Sequence, residues 1–152
     1  MTYLLDVNVL LAYRYSDHTF HRRVSDWITS LEAESDPPRL ATCTIVEIGF
    51  VRIASGKSGL AANVAAARAD LRSVKKKLSL ALVGDELPGD QLPNWVTRYW
   101  QTTDGHLLEL ATRYQMRFAT LDRGIPGALL IPESFGTHDE VREPDLPYGE
   151  AA

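Results

Sequence analysis

Apolar residues along this chain fall into short blocks whose spacing switches between strand-like runs and helical steps. Tyr3 to Leu5 is a brief apolar run ending at Asp6, and Val7 to Tyr15 then carries helical spacing, which predicts a strand, a turn and a helix. A second helix is expected from about His18 to Glu34, stopped by Ser35-Asp36-Pro37-Pro38. Leu40 to Thr42 reads as a strand and Thr44 to Ser55 as a helix, ended by Gly56 and Ser58-Gly59. Leu60 to Val74, rich in alanine and free of glycine and proline, predicts another helix, followed by Lys75-Lys76-Lys77 and an apolar strand at Leu80 to Val83. After a linker from Gly84 to Pro93, helices are expected over Trp95 to about Gln101 and from near Asp104 to Tyr114. Phe118 to Leu121 and Ala128 to Ile131 close the pattern as strands.

Strands separated by helices imply an α/β sandwich, a mostly parallel central sheet flanked by helices on both faces. In open sheets of this kind ligands gather outside the carboxyl ends of the strands, where Asp6 and Asp122 both fall. The length of 152 residues and the 45% hydrophobic content fit one compact domain, expected over residues 1–131. Residues 132–152 form a C-terminal extension rich in proline, glycine and acids, of which Pro144 to Ala152 is expected to be weakly ordered.

Composition narrows the function. Cys43 is the only cysteine and sits among apolar neighbours, so a buried thiol in a reducing compartment is expected rather than a disulfide. No basic segment leads into a long apolar stretch at the N-terminus, and no apolar run reaches membrane-spanning length, so a soluble cytoplasmic protein is expected. The net charge of −4 argues against a protein that coats nucleic acid through general attraction, so any such binding must be local.

Four acids stand where a strand ends or a helix begins. Asp6 ends the first strand, with Asn8 two residues on, and serves equally well as an ordinary helix N-cap. Glu47 is the only charged residue between Arg39 and Arg52, in a helix apolar on nearly every side. With Thr44 it satisfies the capping-box spacing; desolvated, it must instead protonate or find a cation. Asp104 extends the buried stripe of Leu107, Leu110, Ala111 and Tyr114 toward the helix start, where the helix dipole alone also favours an acid. Asp122 begins Asp-Arg-Gly, a composition that makes a plain turn. If folding gathers the four, mutual repulsion keeps a proton on at least one, and a divalent cation removes the conflict.

Hard oxygen ligands without paired histidines or cysteines suit Mg²⁺ or Mn²⁺ rather than zinc. The His18 and His21 pair lacks further ligands nearby in the sequence, and the histidines stay out of the expected chemistry. A carboxylate-held metal activates water and neutralises charge on a phosphoryl group, which makes phosphodiester hydrolysis the natural reaction. In that scheme Asp6, Asp104 and Asp122 hold metal and Glu47 orients the attacking water. Asn8 and Thr120 hydrogen-bond the ligands or a phosphate oxygen, and Arg123 meets the substrate backbone.

The segments Leu4-Leu5-Asp6-Val7-Asn8-Val9-Leu10, Thr44-Ile45-Val46-Glu47, Thr102-Thr103-Asp104-Gly105-His106-Leu107-Leu108-Glu109-Leu110-Ala111 and Ala119-Thr120-Leu121-Asp122-Arg123 stand in the order and separation of a known family. The chain resembles the PIN-domain ribonucleases, and within them the VapC-type toxins of toxin-antitoxin pairs, from residue 1 to about Ile131. The resemblance implies a PIN-like three-layer sandwich and Mg²⁺- or Mn²⁺-dependent endoribonuclease activity on an RNA substrate. It also implies homodimerisation and inhibition by a VapB-type antitoxin inserted near the acidic pocket.

Two rival readings differ in what the acids do. A catalytically inactive PIN-like regulatory binding module keeps the fold without converging the carboxylates. An aspartate-based phosphotransfer domain needs a lysine placed by a strand near the phosphorylated aspartate, and the sequence shows none. Trp27, Trp95 and Trp100 read as stacking platforms for RNA or as core residues, and Lys75 to Lys77 as an RNA contact or a solvated run.

Overall fold

The computed structural model describes residues 1–133, and the expected loose tail at 144–152 lies outside them. The strands are β1 (Thr2–Leu5), β2 (Arg39–Cys43), β3 (Ala81–Val83), β4 (Arg117–Thr120) and β5 (Leu129–Leu130). The helices are α1 (Val7–Arg14), α2 (His21–Glu32), α3 (Thr44–Ala54), α4 (Val64–Lys77) and α5 (Thr102–Arg113), with a 3₁₀ turn at Tyr99–Gln101 leading into α5. All five strands are parallel, in the order β3-β2-β1-β4-β5. The expected α/β sandwich is therefore present, with every pairing parallel.

The strand order carries a functional consequence. From β1 the chain winds outward through β2 to β3, then crosses back to β4 on the other side of β1. The reversal leaves a crevice beyond the carboxyl ends of β1 and β4, the position at which such sheets bind ligands. Both strands are buried at these ends, since Leu4, Leu5, Ala119 and Phe118 are all within 1% of full burial. A polar residue placed one step past either strand is thus held by a rigid, apolar support.

The helices begin and end where local chemistry sets them. α2 starts at His21 rather than His18, because a turn forms in which the Phe20 amide donates to His18 Nδ1 at 3.1 Å. α4 starts at Val64 rather than Leu60, with the Asn63 side chain as N-cap accepting from the Ala66 amide at 2.8 Å. The helix expected over Trp95 to Gln101 shrinks to the 3₁₀ turn. Arg98 is extended, and the Thr97 and Arg98 amides both donate to Gln101 Oε1, at 2.9 and 3.1 Å, so this side chain caps the turn that opens α5. Gly105 lets that segment lie against α5, since a Cβ there would sit 2.3 Å from Val96 Cγ2. The last strand is also shorter than expected, Leu129–Leu130 only.

The core runs on both sides of the sheet. Val9, Leu10 and Ala12 of α1, Val46 and Phe50 of α3, and Leu107 and Leu110 of α5 are fully buried, in line with their helical spacing. Cys43 is a buried free thiol, as its neighbours predict, and burial raises its pKa. Among the described residues no helix is long and apolar enough to cross a membrane.

Candidate active site

Asp6 follows β1 directly, and its amide still donates to Ala119 O of β4 at 3.0 Å, so the sheet ladder fixes its backbone. Its side chain then does two things. One oxygen accepts from the Val7 amide at 2.7 Å as the N-cap of α1, and the other accepts from the Thr120 hydroxyl at 2.7 Å. The capping role open from sequence is real, and it uses one oxygen of a residue that is only 6% exposed.

Thr120, the last residue of β4, joins the two strand ends. Its Oγ1 donates to Asp6, accepts from the Asp122 amide at 3.0 Å and from Asn8 Nδ2 at 3.4 Å. One donor and two acceptor positions are thereby all used. Asn8 completes the clasp, because its Oδ1 accepts from the Leu121 amide at 3.3 Å. Asn8 and Thr120 thus serve to hold Asp6 and the β4 exit in fixed relation. Asp122 forms the local turn that its composition predicts, with Oδ1 accepting from the Gly124 amide at 2.7 Å.

Asp104 enters from the third direction, in the first turn of α5. Burial pushes its carboxyl up to about 7, and the charges of Asp6 and Asp122 add to the rise. Burial likewise pushes Asp6 up to about 6, against the pull of its hydrogen bonds from Thr120 and Val7, with Asp122 adding to the rise. Three acids from separate parts of the chain therefore feel one another across the β1–β4 crevice. Among the described residues no lysine or arginine forms an ion pair with any of the three.

Glu47 behaves differently. The capping box with Thr44 is not formed, because Cys43 is the N-cap residue of α3 and Thr44 already lies inside the helix. Its Oε1 instead meets Lys75 Nζ of α4 at 2.8 Å, both side chains being largely shielded. The cation that desolvation demanded is in this structure an ammonium of the same chain. Lys75 follows Leu71 by four residues and precedes Leu78 by three, so a lysine on the buried stripe of α4 was the available signal. Arg123 pairs at the exposed surface with Glu133 at 2.8 Å.

The donor chemistry fits a hard divalent ion, since carboxylates raised in part by mutual repulsion gain most from a cation between them. Among the described residues no three His, Cys, Asp or Glu side chains enclose a common point closely enough to cage an ion directly. A hard divalent ion that keeps part of its water shell needs only one or two such carboxylates.

Residues 3–127 match the family model of the PIN domain. The chain belongs to the PIN domain family. Among relatives of this PIN domain is "Ribonuclease VapC38" of Mycobacterium tuberculosis, 35% identical over 126 residues, covering 80% of this chain and 86% of that protein. "Ribonuclease VapC39" of the same organism is 33% identical over 133 residues, 82% of this chain and 91% of that one. "Ribonuclease VapC29" is 33% identical over 141 residues, 87% and 98% of the two chains.

The PIN domain also contains a pairing that sequence reasoning missed. His106, two residues beyond Asp104, places Nε2 at 2.5 Å from Asp85 Oδ2, and Asp85 Oδ1 accepts from the Leu87 amide at 3.1 Å. The pair ties the segment after β3 to the second turn of α5. His106 lies beside Leu107 on a buried face, and a buried histidine needs a partner, which was the only sequence signal.

Proposed function

We propose that this chain is an endoribonuclease that hydrolyses RNA phosphodiester bonds with a divalent metal, acting as the toxin of a toxin-antitoxin pair. What carries the reading is the trio Asp6, Asp104 and Asp122, set at a β1–β4 switch point and unpaired with lysine or arginine among the described residues. The ribonuclease names of the relatives give the substrate class.

The three aspartates are the residues to hold Mg²⁺ or Mn²⁺, which when bound acidifies a water and neutralises charge growing on the phosphoryl group. Thr120 and Asn8 keep Asp6 oriented through the clasp at the strand ends. Glu47, steadied by Lys75, orients the attacking water. Arg123 exchanges its exposed partner Glu133 for the RNA backbone. The acidic crevice is also the place for a VapB-type antitoxin to supply a cation and shut the site, and the working form is a homodimer in the cytoplasm.

The test uses purified chain freed of any co-purifying partner, on structured and unstructured RNAs with Mg²⁺, Mn²⁺ or chelator, and Asp104→Ala as blank. Cleavage is expected with either metal and not with chelator. Cleavage by Asp104→Ala equal to that of the unaltered chain would remove the basis of the reading.

A further inference from the structure

Beside the acidic crevice, along the same carboxyl edge of the sheet, lies an open cavity of about 420 Å³. Its walls come from Ile45 at the start of α3, Leu87 and Leu92 of the segment after β3, and Thr103 and His106 of α5, with Asp85 at the polar side. The first turn of α5 stands between the two places. On a helical wheel Asp104 and Thr103 fall 100° apart, so Asp104 serves the acids while Thr103 before it lines the cavity. The ends of β2 and β3 are one and two strand spacings from β1, about 5 and 10 Å. A chain of nucleotides with its phosphate at the acids therefore has a neighbouring residue within reach of the cavity.

We propose that this cavity is a subsite for one nucleobase of the RNA, next to the phosphate that is cut, and that it prefers a base bearing an exocyclic amino group. The inference rests on the nuclease reading above. Charge selects the base over the phosphate, since the Asp85 carboxylate lines the cavity and repels a second phosphate. Shape agrees, because Ile45, Leu87 and Leu92 offer apolar surface to the faces of a flat ring. Asp85 is braced by His106 and the Leu87 amide, and a carboxylate has acceptor positions beyond those two. An amino group donates to such an acceptor, as cytosine does to aspartate in known base contacts, whereas the corresponding carbonyl of uracil is another acceptor and is rejected.

The experiment measures kcat/KM on a set of short single-stranded RNAs differing only at the nucleotides flanking one cleavage site. The unaltered chain is compared with Ile45→Trp and Leu92→Trp, each of which fills the cavity. The fold of both variants is checked by thermal melting. Binding of the same RNAs to the Asp104→Ala chain in chelator, read by fluorescence anisotropy, gives a measure free of turnover. The expected result is a preference of about tenfold for at least one of adenosine, cytidine and guanosine over uridine at one flanking position. That preference should appear in binding as well, and fall to about twofold or less in at least one filled variant whose melt is unchanged, with most of the change in KM. RNA cleavage with an unchanged base preference in both filled variants overturns the subsite and leaves the nuclease reading intact. Cleavage of no RNA by the unaltered chain overturns both.

Discussion

At the C-terminal end of α1, Asp70 of α4 receives Arg14 at 2.5 Å and the Tyr15 hydroxyl at 2.8 Å; at the N-terminal end, about 12 Å along the same helix, Asp6 receives only neutral donors and the repulsion of Asp122. The first carboxylate is completed by a cation from its own chain. The second is desolvated, crowded by like charge and pushed toward holding a proton. A fold concerned only with stability pairs its shielded acids in the first way, because an uncompensated charge in a low dielectric is expensive. Leaving Asp6 and Asp104 in the second condition makes sense when something outside the chain supplies the charge.

The largest effect expected from breaking that contrast is on turnover. Asp6→Asn, Asp104→Asn and Asp122→Asn should each lower RNA cleavage by at least about a hundredfold, while Asp70→Asn leaves it within a few-fold. Initial rates on one RNA at saturating Mn²⁺ make the comparison. A loss of cleavage in Asp70→Asn as deep as that in Asp6→Asn would erase the distinction between the two ends of α1.

The pH dependence of stability follows next. Asp6 titrates at about 6 when folded, against 3.8 for the ordinary carboxyl, so between these values the folded chain keeps a proton that the unfolded chain has lost. Stability from this group is therefore present at low pH and is lost as pH rises toward the folded pKa. Without metal, Asp6→Asn should match the unaltered chain near pH 4 in denaturant unfolding and overtake it toward pH 7, by something on the order of 3 kcal/mol. Added Mn²⁺ should close the gap by binding only the unaltered site. A gap that widens toward low pH instead would contradict the burial of an unpaired carboxylate.

Much of this contrast could be read from the chain, and the parts that could not share a cause. Asp6 and Asp122 are legible because each lies within two residues of a strand's carboxyl end and that edge of a parallel sheet is a known meeting place, a local signal joined to a topological rule. Asp104 is legible because it continues the Leu107 and Leu110 stripe. The partners of Glu47 and His106 depend instead on how whole elements are rotated against one another. Lys75 reaches Glu47 from a separate helix, and Asp85 reaches His106 from the loop after β3. Spacing within a helix says which residues share a face, and nothing of what that face will meet. The 95–101 segment failed as a helix for the same reason, since Gly105 and the Gln101 side chain hold it as a strap against α5.

A smaller effect sharpens the structural end of α1. Asp70→Ala leaves Arg14 and the Tyr15 hydroxyl without their acceptor, and should cost about 1 to 3 kcal/mol in denaturant unfolding, roughly independent of added metal. Stabilisation by Mn²⁺ should be the same in Asp70→Ala as in the unaltered chain. A stabilisation by metal that disappears with Asp70 would place this network in the metal site rather than beneath it.

The smallest change concerns Glu47, which belongs to both halves of the comparison, being paired like Asp70 yet assigned to the attacking water. Its ion pair with Lys75 is shielded on the carboxylate side and a third exposed on the lysine side, so the pair itself should contribute no more than about 1 kcal/mol, as ion pairs in contact with water do. Lys75→Gln and Glu47→Gln should therefore destabilise by similar small amounts, and the double variant by little more than either, a coupling that a double-mutant cycle measures. Turnover separates the roles that stability cannot. If the carboxylate orients water, Glu47→Gln lowers kcat well beyond Lys75→Gln, because glutamine cannot accept the water's proton whereas the loss of Lys75 leaves the acid in place. Equal and small effects on kcat in the two variants would mean that Glu47 is held for packing alone, and would reduce the catalytic set to the three aspartates.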